Sequence, residues 1–297
     1  MTFGVRVQAL LDEAGVDSGE LRRLVRVALD EDLRYGPDVT SEATIEVGAE
    51  AAGDAVARRG GVLCGGPVAL AVLETVGFPL HGASLEVRDG DRVEAGDLVL
   101  GCRGPLRLML LAERTMLNFM THLSGIATST AAWVSALEGT GCRVRDTRKT
   151  TPGLRQLEKY AVRCGGGENH RRGLGDAALI KDNHVAGAGG IGAAVRAVRR
   201  MAPAVELEVE CDTLDQVREA LEAGARLILL DNMDLEHLRA AVHLGRERGD
   251  VRFEASGSMA LAHARAVAET GVDYIAVGAL THSSPALDLA FDLRAGQ

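Results

Sequence analysis

From about residue 140 onward, this chain of 297 residues alternates short strand-like runs with amphipathic stretches, and nothing else in it restricts the fold so severely. The runs are 142–146 (CRVRD), 177–181 (AALIK), 206–210 (ELEVE), 226–230 (RLILL), 251–255 (VRFEA) and 273–277 (DYIAV). Helical periodicity fills the intervals, as in 213–223 and 258–270. A strand that returns to its sheet through a helix lies parallel to its predecessor, with a right-handed crossover. Six such units suit a closed or nearly closed α/β barrel; the pattern alone is also compatible with an open, doubly wound sheet.

In either architecture, ligands bind where strands end and loops enter helices. The six tips read Asp146-Thr147-Arg148-Lys149, Lys181-Asp182-Asn183-His184, Glu210, Asp231-Asn232, Ala255-Ser256-Gly257-Ser258 and Gly278-Ala279-Leu280-Thr281-His282-Ser283. All six carry polar or charged groups that a core would reject unless paired. Glu210 and Asp231 make a pair of neighbouring acids. Glu206 and Glu208 share the face of Glu210 and admit two readings, site acids or ion-pair partners inside a barrel. His282 follows a small-residue turn and reads as a phosphate-loop donor, whereas His243 and His263 lie in helical patterns and read as surface or packing residues.

Charge narrows the ligand. Of 33 basic side chains only Lys149, Lys159 and Lys181 are lysines, and an ammonium is a compact point charge that a guanidinium cannot imitate in a tight site. Lys149 and Lys181 sit at strand tips; Lys159, inside a helical pattern, reads as a surface residue. Cys164-Gly165-Gly166-Gly167-Glu168-Asn169-His170-Arg171-Arg172 adds a flexible backbone followed by cations. Arg114 stands in an otherwise apolar helical stretch, which points it either to an ion pair or to a ligand site, its own or a partner subunit's. So concentrated a positive pocket, in a chain of net charge −9, calls for a ligand with carboxylates and phosphates. The acids beside it would hold ribose hydroxyls or a divalent cation bridging a diphosphate.

The same numbers exclude other classes. Net charge −9 and 3% aromatics argue against nucleic acid or an anionic membrane as partner. No apolar run reaches the ~18–20 residues of a membrane helix, and the first residues lack the pattern of a secretory leader. Five scattered cysteines form no zinc or disulfide framework, which sets a reducing cytoplasm as the expectation.

The first 140 residues read differently. Asp17–Ser18 cap a helix through Leu21, Leu24, Val25 and Leu29; segments 51–64 and 84–101 show short β alternation; Pro67 starts a helix to about Val76. Residues 105–137 are helical, with a break expected near Ser124–Gly125. GDRVEAGDLVL resembles the hairpin of swinging-arm carrier domains, but no lysine precedes Lys149, so the hairpin is structural.

Thr147-Arg148-Lys149-Thr150-Thr151-Pro152-Gly153, GGGENHR, Ile180-Lys181-Asp182-Asn183-His184, EVE ending at Glu210, Leu230-Asp231-Asn232, Glu254-Ala255-Ser256-Gly257 and VGALTHS together resemble the quinolinate phosphoribosyltransferase family, the carboxylating nicotinate-nucleotide pyrophosphorylases. EDLRYGPDVTSEATI and ERTMLNFMTHLSGIAT are similar to that family's N-terminal half. The resemblance implies an N-terminal α/β sandwich domain (1–124), an incomplete, about six-stranded parallel α/β barrel (125–285) and a C-terminal segment (286–297) packing back on the sandwich. It implies a cytoplasmic homodimer in which Arg114 reaches the neighbouring subunit's site. Arg114, Thr147, Arg148, Lys149, His170, Arg171 and Lys181 would bind quinolinate and diphosphate. Glu210 and Asp231 would face ribose and magnesium, the latter held through the diphosphate, and Ser256, Gly257, Ser258, Gly278 and His282 the 5-phosphate. Ser258 departs from the glycine common in the family, and Arg34–Asp38 looks longer than its usual turn.

The implied reaction joins quinolinate nitrogen to C1 of phosphoribosyl pyrophosphate and then loses carbon dioxide, with Lys149, Glu210 and Asp231 catalytic, magnesium required and no organic cofactor. Three rivals remain. A paralogous phosphoribosyltransferase acting on nicotinate would need fewer cations around the ring; a Schiff-base aldolase would use Lys181 or Lys149; a phosphosugar-binding protein would show no turnover.

Overall fold

The computed structural model describes residues 2–294. Its elements begin with α1 (Val5–Ala14), α2 (Ser18–Asp32), α3 (Val39–Thr44), β1 (Glu50–Ala57), β2 (Gly61–Val62), α4 (Gly66–Thr75), β3 (Ala83–Leu85), β4 (Arg92–Val93), β5 (Leu98–Pro105) and α5 (Leu106–Ala136). There follow β6 (Arg143–Arg145), α6 (Arg155–Cys164), β7 (Ala177–Ile180), α7 (Asp182–Ala188), α8 (Ile191–Met201), β8 (Glu206–Cys211), α9 (Leu214–Glu222) and β9 (Leu227–Asp231). The chain continues through α10 (Leu235–Arg246), β10 (Arg252–Ser256), α11 (Ala264–Ala268), β11 (Tyr274–Ala276), α12 (Ala279–His282) and β12 (Leu289–Leu293). Two compact units result. One gathers the chain up to Ser129, Thr151–Gly166 and the stretch from Ser283; the other holds Thr130–Thr150 and Gly167–His282. The division by contacts is thus not the single cut at 124/125 read from sequence, because α6 packs with the first unit.

The first unit is built on an antiparallel sheet in the order β12-β1-β5-β3. Residues 289–293 add its edge strand, pairing Gly53 with Leu293 and Ala57 with Leu289, while 295–297 of the expected C-terminal segment lie outside the described residues. Helix α2 starts where Asp17 Oδ1 accepts from Glu20 N at 2.8 Å and buries Leu21, Val25 and Leu29, one stripe at i, i+4, i+8. The break expected near Ser124–Gly125 is absent: α5 runs unbroken for 31 residues. Both residues serve packing instead. A Cβ on Gly125 would sit 2.2 Å from the Pro285 carbonyl oxygen, and Ser124 Oγ accepts from Cys64 N (2.9 Å) while donating to Cys64 O (3.0 Å). Lys159 also departs from expectation. It is 2% exposed, because α6 buries six consecutive residues, Leu157–Val162, and leaves that turn no outward face.

The second unit carries the six expected strands, in the order β6-β11-β10-β9-β8-β7, every pair parallel. Among the described residues β6 and β7 share no ladder; the free edge of β6 makes only the isolated bridge Arg145–Glu168. The sheet is therefore an incomplete barrel. Val209, Cys211, Ile228, Leu230, Phe253, Ala255 and Ile275 form one buried apolar face, and the intervening residues form the other, which is polar except where Leu227, Leu229 and Ala276 stand. The helix between β8 and β9 shows how locally the units are specified: Thr213 and Gln216 close a capping box at the start of α9.

Candidate active site

Alternate side chains of the polar face meet in tiers that are offset from the ladder register, which sets Glu254 opposite Tyr274 and Arg252 opposite Leu227. The lowest holds Glu206, Arg252 and Tyr274: Arg252 donates to Glu206 Oε1 at 2.7 Å and to Tyr274 Oη at 3.1 Å. The middle holds Glu208, Glu254 and Arg145, with His170 inserted from its loop. The highest holds Glu210, Asp231 and Ser256, the last two opposite each other in the β9–β10 register.

The middle tier is buried and internally paired. His170 Nε2 lies 2.6 Å from Glu208 Oε2 and 3.8 Å from Glu254 Oε1. Arg145 Nη1 donates to Glu254 Oε2 at 2.8 Å, and its guanidinium lies 4.3 Å over the Tyr274 ring. Burial pushes the Glu208 and Glu254 carboxyls up to about 7, against the pull of Arg145 on both. Glu208 is thus a buried ion-pair partner inside the barrel, whereas Glu206 pairs with Arg252 at an exposed position. Below the loop that delivers His170, fully buried Asp146 accepts from Asn169 Nδ2 (2.6 Å) and His170 N (2.9 Å). His170, Glu208 and Glu254 present ligand atoms within 4.8 Å of one another, but Arg145 already brings a fixed positive charge to that tier.

Above this floor opens a cavity of about 350 Å³. Nine sequence-predicted residues line it: Thr147, Arg148, Lys149, His170, Arg171, Lys181, Glu210, Asp231 and Ser256. Arg148 Nε is buried with no hydrogen-bond partner among the described residues. Burial, then the neighbouring Arg148 charge, hold the Arg171 guanidinium below its usual range. Two cations forced together, one with an orphaned donor, form a seat for an anion. Lys181 Nζ and Glu210 Oε2 form an ion pair. Both acids of the highest tier are oxygen donors on one wall, which suits a hard divalent cation. Backbone geometry sharpens the tips: Asn232 stands at φ 54, where non-glycine residues are uncommon, and donates to Asp231 Oδ2 at 2.8 Å. A Cβ on Gly278 would sit 2.9 Å from Lys149 Cδ, so glycine there leaves room for the lysine stem.

Five predicted residues do not line this cavity. Gly257, Ser258, Gly278 and His282 stand on the loops after β10 and β11, with Gly257 at φ +125 against Asn232. Arg114 is exposed on α5, in the first unit. Sequence reasoning gave no site role to Glu254, quoted only within a family motif, or to Asp146, placed at the first strand tip, and it missed Arg145, which shows only as the polar member of an alternating run. His184, at the second tip, closes the start of α7: its Nδ1 accepts from Lys181 N at 3.0 Å.

Comparison with known proteins agrees over nearly the full length. Residues 38–124 match the quinolinate phosphoribosyl transferase N-terminal domain and residues 126–292 its C-terminal domain. The nicotinate-nucleotide pyrophosphorylase [carboxylating] of Mycobacterium leprae is 50% identical over 278 residues, covering 92% of this chain and 96% of that protein. A probable one from Bacillus subtilis is 40% identical over 280 residues, covering 92% and 93%. The solved nicotinate-nucleotide pyrophosphorylase of Francisella tularensis superposes with a TM-score of 0.89 at 38% identity, covering 94% of this chain and 98% of that one.

Proposed function

The chain belongs to the quinolinate phosphoribosyltransferase family, and from that premise we propose how its strand-tip cavity carries the reaction. The enzyme transfers the phosphoribosyl group of phosphoribosyl pyrophosphate to quinolinate with decarboxylation, giving nicotinate mononucleotide, pyrophosphate and carbon dioxide in de novo NAD biosynthesis. The observation that carries the site assignment is the pair Arg148 and Arg171, the first with a buried donor that no described residue satisfies.

Arg148, Arg171 and His170 take the two carboxylates of quinolinate, and Thr147 borders them. Nicotinate, with one carboxylate, would leave a guanidinium buried without a partner, so the dicarboxylate is favoured. Lys149 and Lys181 face the leaving diphosphate; an arriving phosphate draws the Lys181 ammonium away from Glu210. That leaves the Glu210 carboxylate opposite C1, where positive charge develops as the glycosidic bond breaks. Asp231 completes the acidic wall toward the ribose. Ser256, Gly257, Ser258, Gly278 and His282 receive the 5-phosphate through backbone and side-chain donors. Glu210 and Asp231 fit magnesium brought in on the diphosphate, which when bound offsets the charge of the leaving group. No organic cofactor is needed: once attached, the ring nitrogen is cationic and stabilises the electron pair left by departing carbon dioxide. Arg114 comes from a second copy in a homodimer, and the five free cysteines suit a reducing cytoplasm.

Incubation with quinolinate, phosphoribosyl pyrophosphate and magnesium should release carbon dioxide and nicotinate mononucleotide. Turnover of nicotinate instead, or trapping of a carbonyl substrate on Lys149 or Lys181 by borohydride, would replace this reading. Mixing an Arg114→Ala chain with a Lys149→Ala chain tests the shared site, because only a mixed dimer regains one intact pocket.

A further inference from the structure

The first unit holds a second cluster of reactive groups that the phosphoribosyl transfer does not use. Cys64 follows β2, Asp89 stands in the turn before β4, and Cys164 ends α6. One ligand atom from each, two sulfurs and a carboxylate oxygen, lies within 4.8 Å of the other two. We propose that Cys64, Asp89 and Cys164 form a binding site for a thiophilic divalent cation of the zinc class.

The geometry suits that ion. With Zn–S near 2.3 Å, tetrahedral ligands stand about 3.8 Å apart, so the three donors need to close by at most about an ångström. Asp89 is already held as a metal-bound carboxylate is held. Oδ2 accepts from Gly65 N (2.7 Å) and Tyr160 Oη (2.8 Å), and Oδ1 from Gly66 N (2.9 Å); such hydrogen bonds from behind orient a ligand. A carboxylate offers about four acceptor positions, and the one left faces the Cys64 thiol. Protons now stand where a cation would. Burial, then Cys164 and Asp89, push the Cys64 thiol up, and burial pushes Asp89 up.

An access path and a fourth position also exist. Asp89, Tyr160 and Cys164 line a cavity of about 910 Å³, large enough for a water on the ion. Arg6, Arg88 and Arg163 stand in the same wall. They oppose a bare cation, but binding releases both thiol protons, and a divalent ion with two thiolates and one carboxylate carries 2 − 3 = −1. Arginines suit that product. Magnesium does not fit, because it takes hard oxygen donors. The remaining thiols do not compete: among the described residues Cys102, Cys142 and Cys211 belong to no such cluster of ligand atoms.

Cobalt titrated into the reduced full-length protein, with no substrate present, tests this. One equivalent should bind with a thiolate-to-cobalt charge-transfer absorption, and zinc should displace it. Cys164→Ser and Cys164→Ala should abolish the band. Tyr160→Phe, which removes one hydrogen bond behind Asp89, should weaken cobalt about tenfold. Cys64 is fully buried, so the Cys164 variants carry the test, each checked for native circular dichroism. Cobalt bound without the band, a band that survives loss of Cys164, or Cys64 and Cys164 joining as a disulfide in air while excluding metal would each overturn the site.

Discussion

The middle tier of the barrel and the cavity rim above it are built from the same residue types, arginine, glutamate and histidine or lysine, yet they solve opposite problems. In the tier the two acids have partners from the protein itself: Glu254 has Arg145, and Glu208 has the His170 ring. At the rim Arg148 and Arg171 line one cavity, the charge of the first holds the second below its usual range, and Arg148 Nε has no acceptor among the described residues. A closed network positions; an open one waits for a ligand. The difference teaches that burial alone does not mark a binding residue. Nor does an unpartnered atom by itself, since Arg145 Nε, Glu208 Oε1 and Glu254 Oε1 in the tier lack hydrogen-bond partners as Arg148 Nε does; what marks the rim is a cation, Arg171, whose strongest charged neighbour is another cation, Arg148.

If that distinction holds, the two regions fail differently. The largest effect belongs to the tier: Arg145→Ala leaves Glu254 buried without its cation and should cost about 3–5 kcal/mol of folding free energy. Trp133, the chain's single tryptophan, lies in the same unit and reports the loss by fluorescence in urea. A cost under about 1 kcal/mol, the range of an exposed pair, would mean that the tier is no closed network. Next comes the rim. Lys149→Ala should lower kcat about 10²–10³-fold, or about 2.7–4 kcal/mol of transition-state stabilisation, with unfolding unchanged within about 0.5 kcal/mol. Normal kcat would remove Lys149 from the leaving-group role.

The same contrast explains what could be read from sequence. The rim was legible because polar residues at six consecutive strand tips have no packing purpose, so their convergence follows from parallel topology alone. The tier was not. Glu206 and Glu208 alternate like a solvated edge, and Glu206 is indeed exposed in its pair with Arg252, whereas only its partner His170 and its burial show Glu208 to be interior. Arg145 was hidden by the same ambiguity. Lys159 and Gly125 show a third limit. Helical periodicity tells which residues share a face, but not that α6 is buried over a whole turn, nor that a backbone at Pro285 presses on α5. Arg114 carried a clear signal, a charge in an apolar stretch, and it stands exposed on α5.

Titration separates the regions further. Glu254 goes from 4.5 to about 7 on folding, so the native state keeps its proton where the unfolded chain has lost one. That contribution to stability is complete below about pH 4.5 and is lost as pH rises toward 7. The slope for one carboxyl is about 1.4 kcal/mol per pH unit. Glu254→Gln should flatten the profile by that amount between about pH 5 and 7, measured by urea unfolding across the range. An unchanged slope would put the proton elsewhere in the tier.

The smallest effect is the most discriminating. Lys181 and Glu210 form an ion pair, which looks like the pairs of the tier. The lysine side chain is 44% exposed, however, and exposed pairs contribute at most about 1 kcal/mol. Lys181→Ala should therefore leave unfolding nearly unchanged while raising KM for phosphoribosyl pyrophosphate, because the ammonium is held for an incoming phosphate rather than for the fold. Equal losses of stability on Lys181→Ala and Glu210→Gln, with a double variant no worse than either, would show a structural pair. The line between floor and rim would then have to be drawn above Glu210 instead of below it.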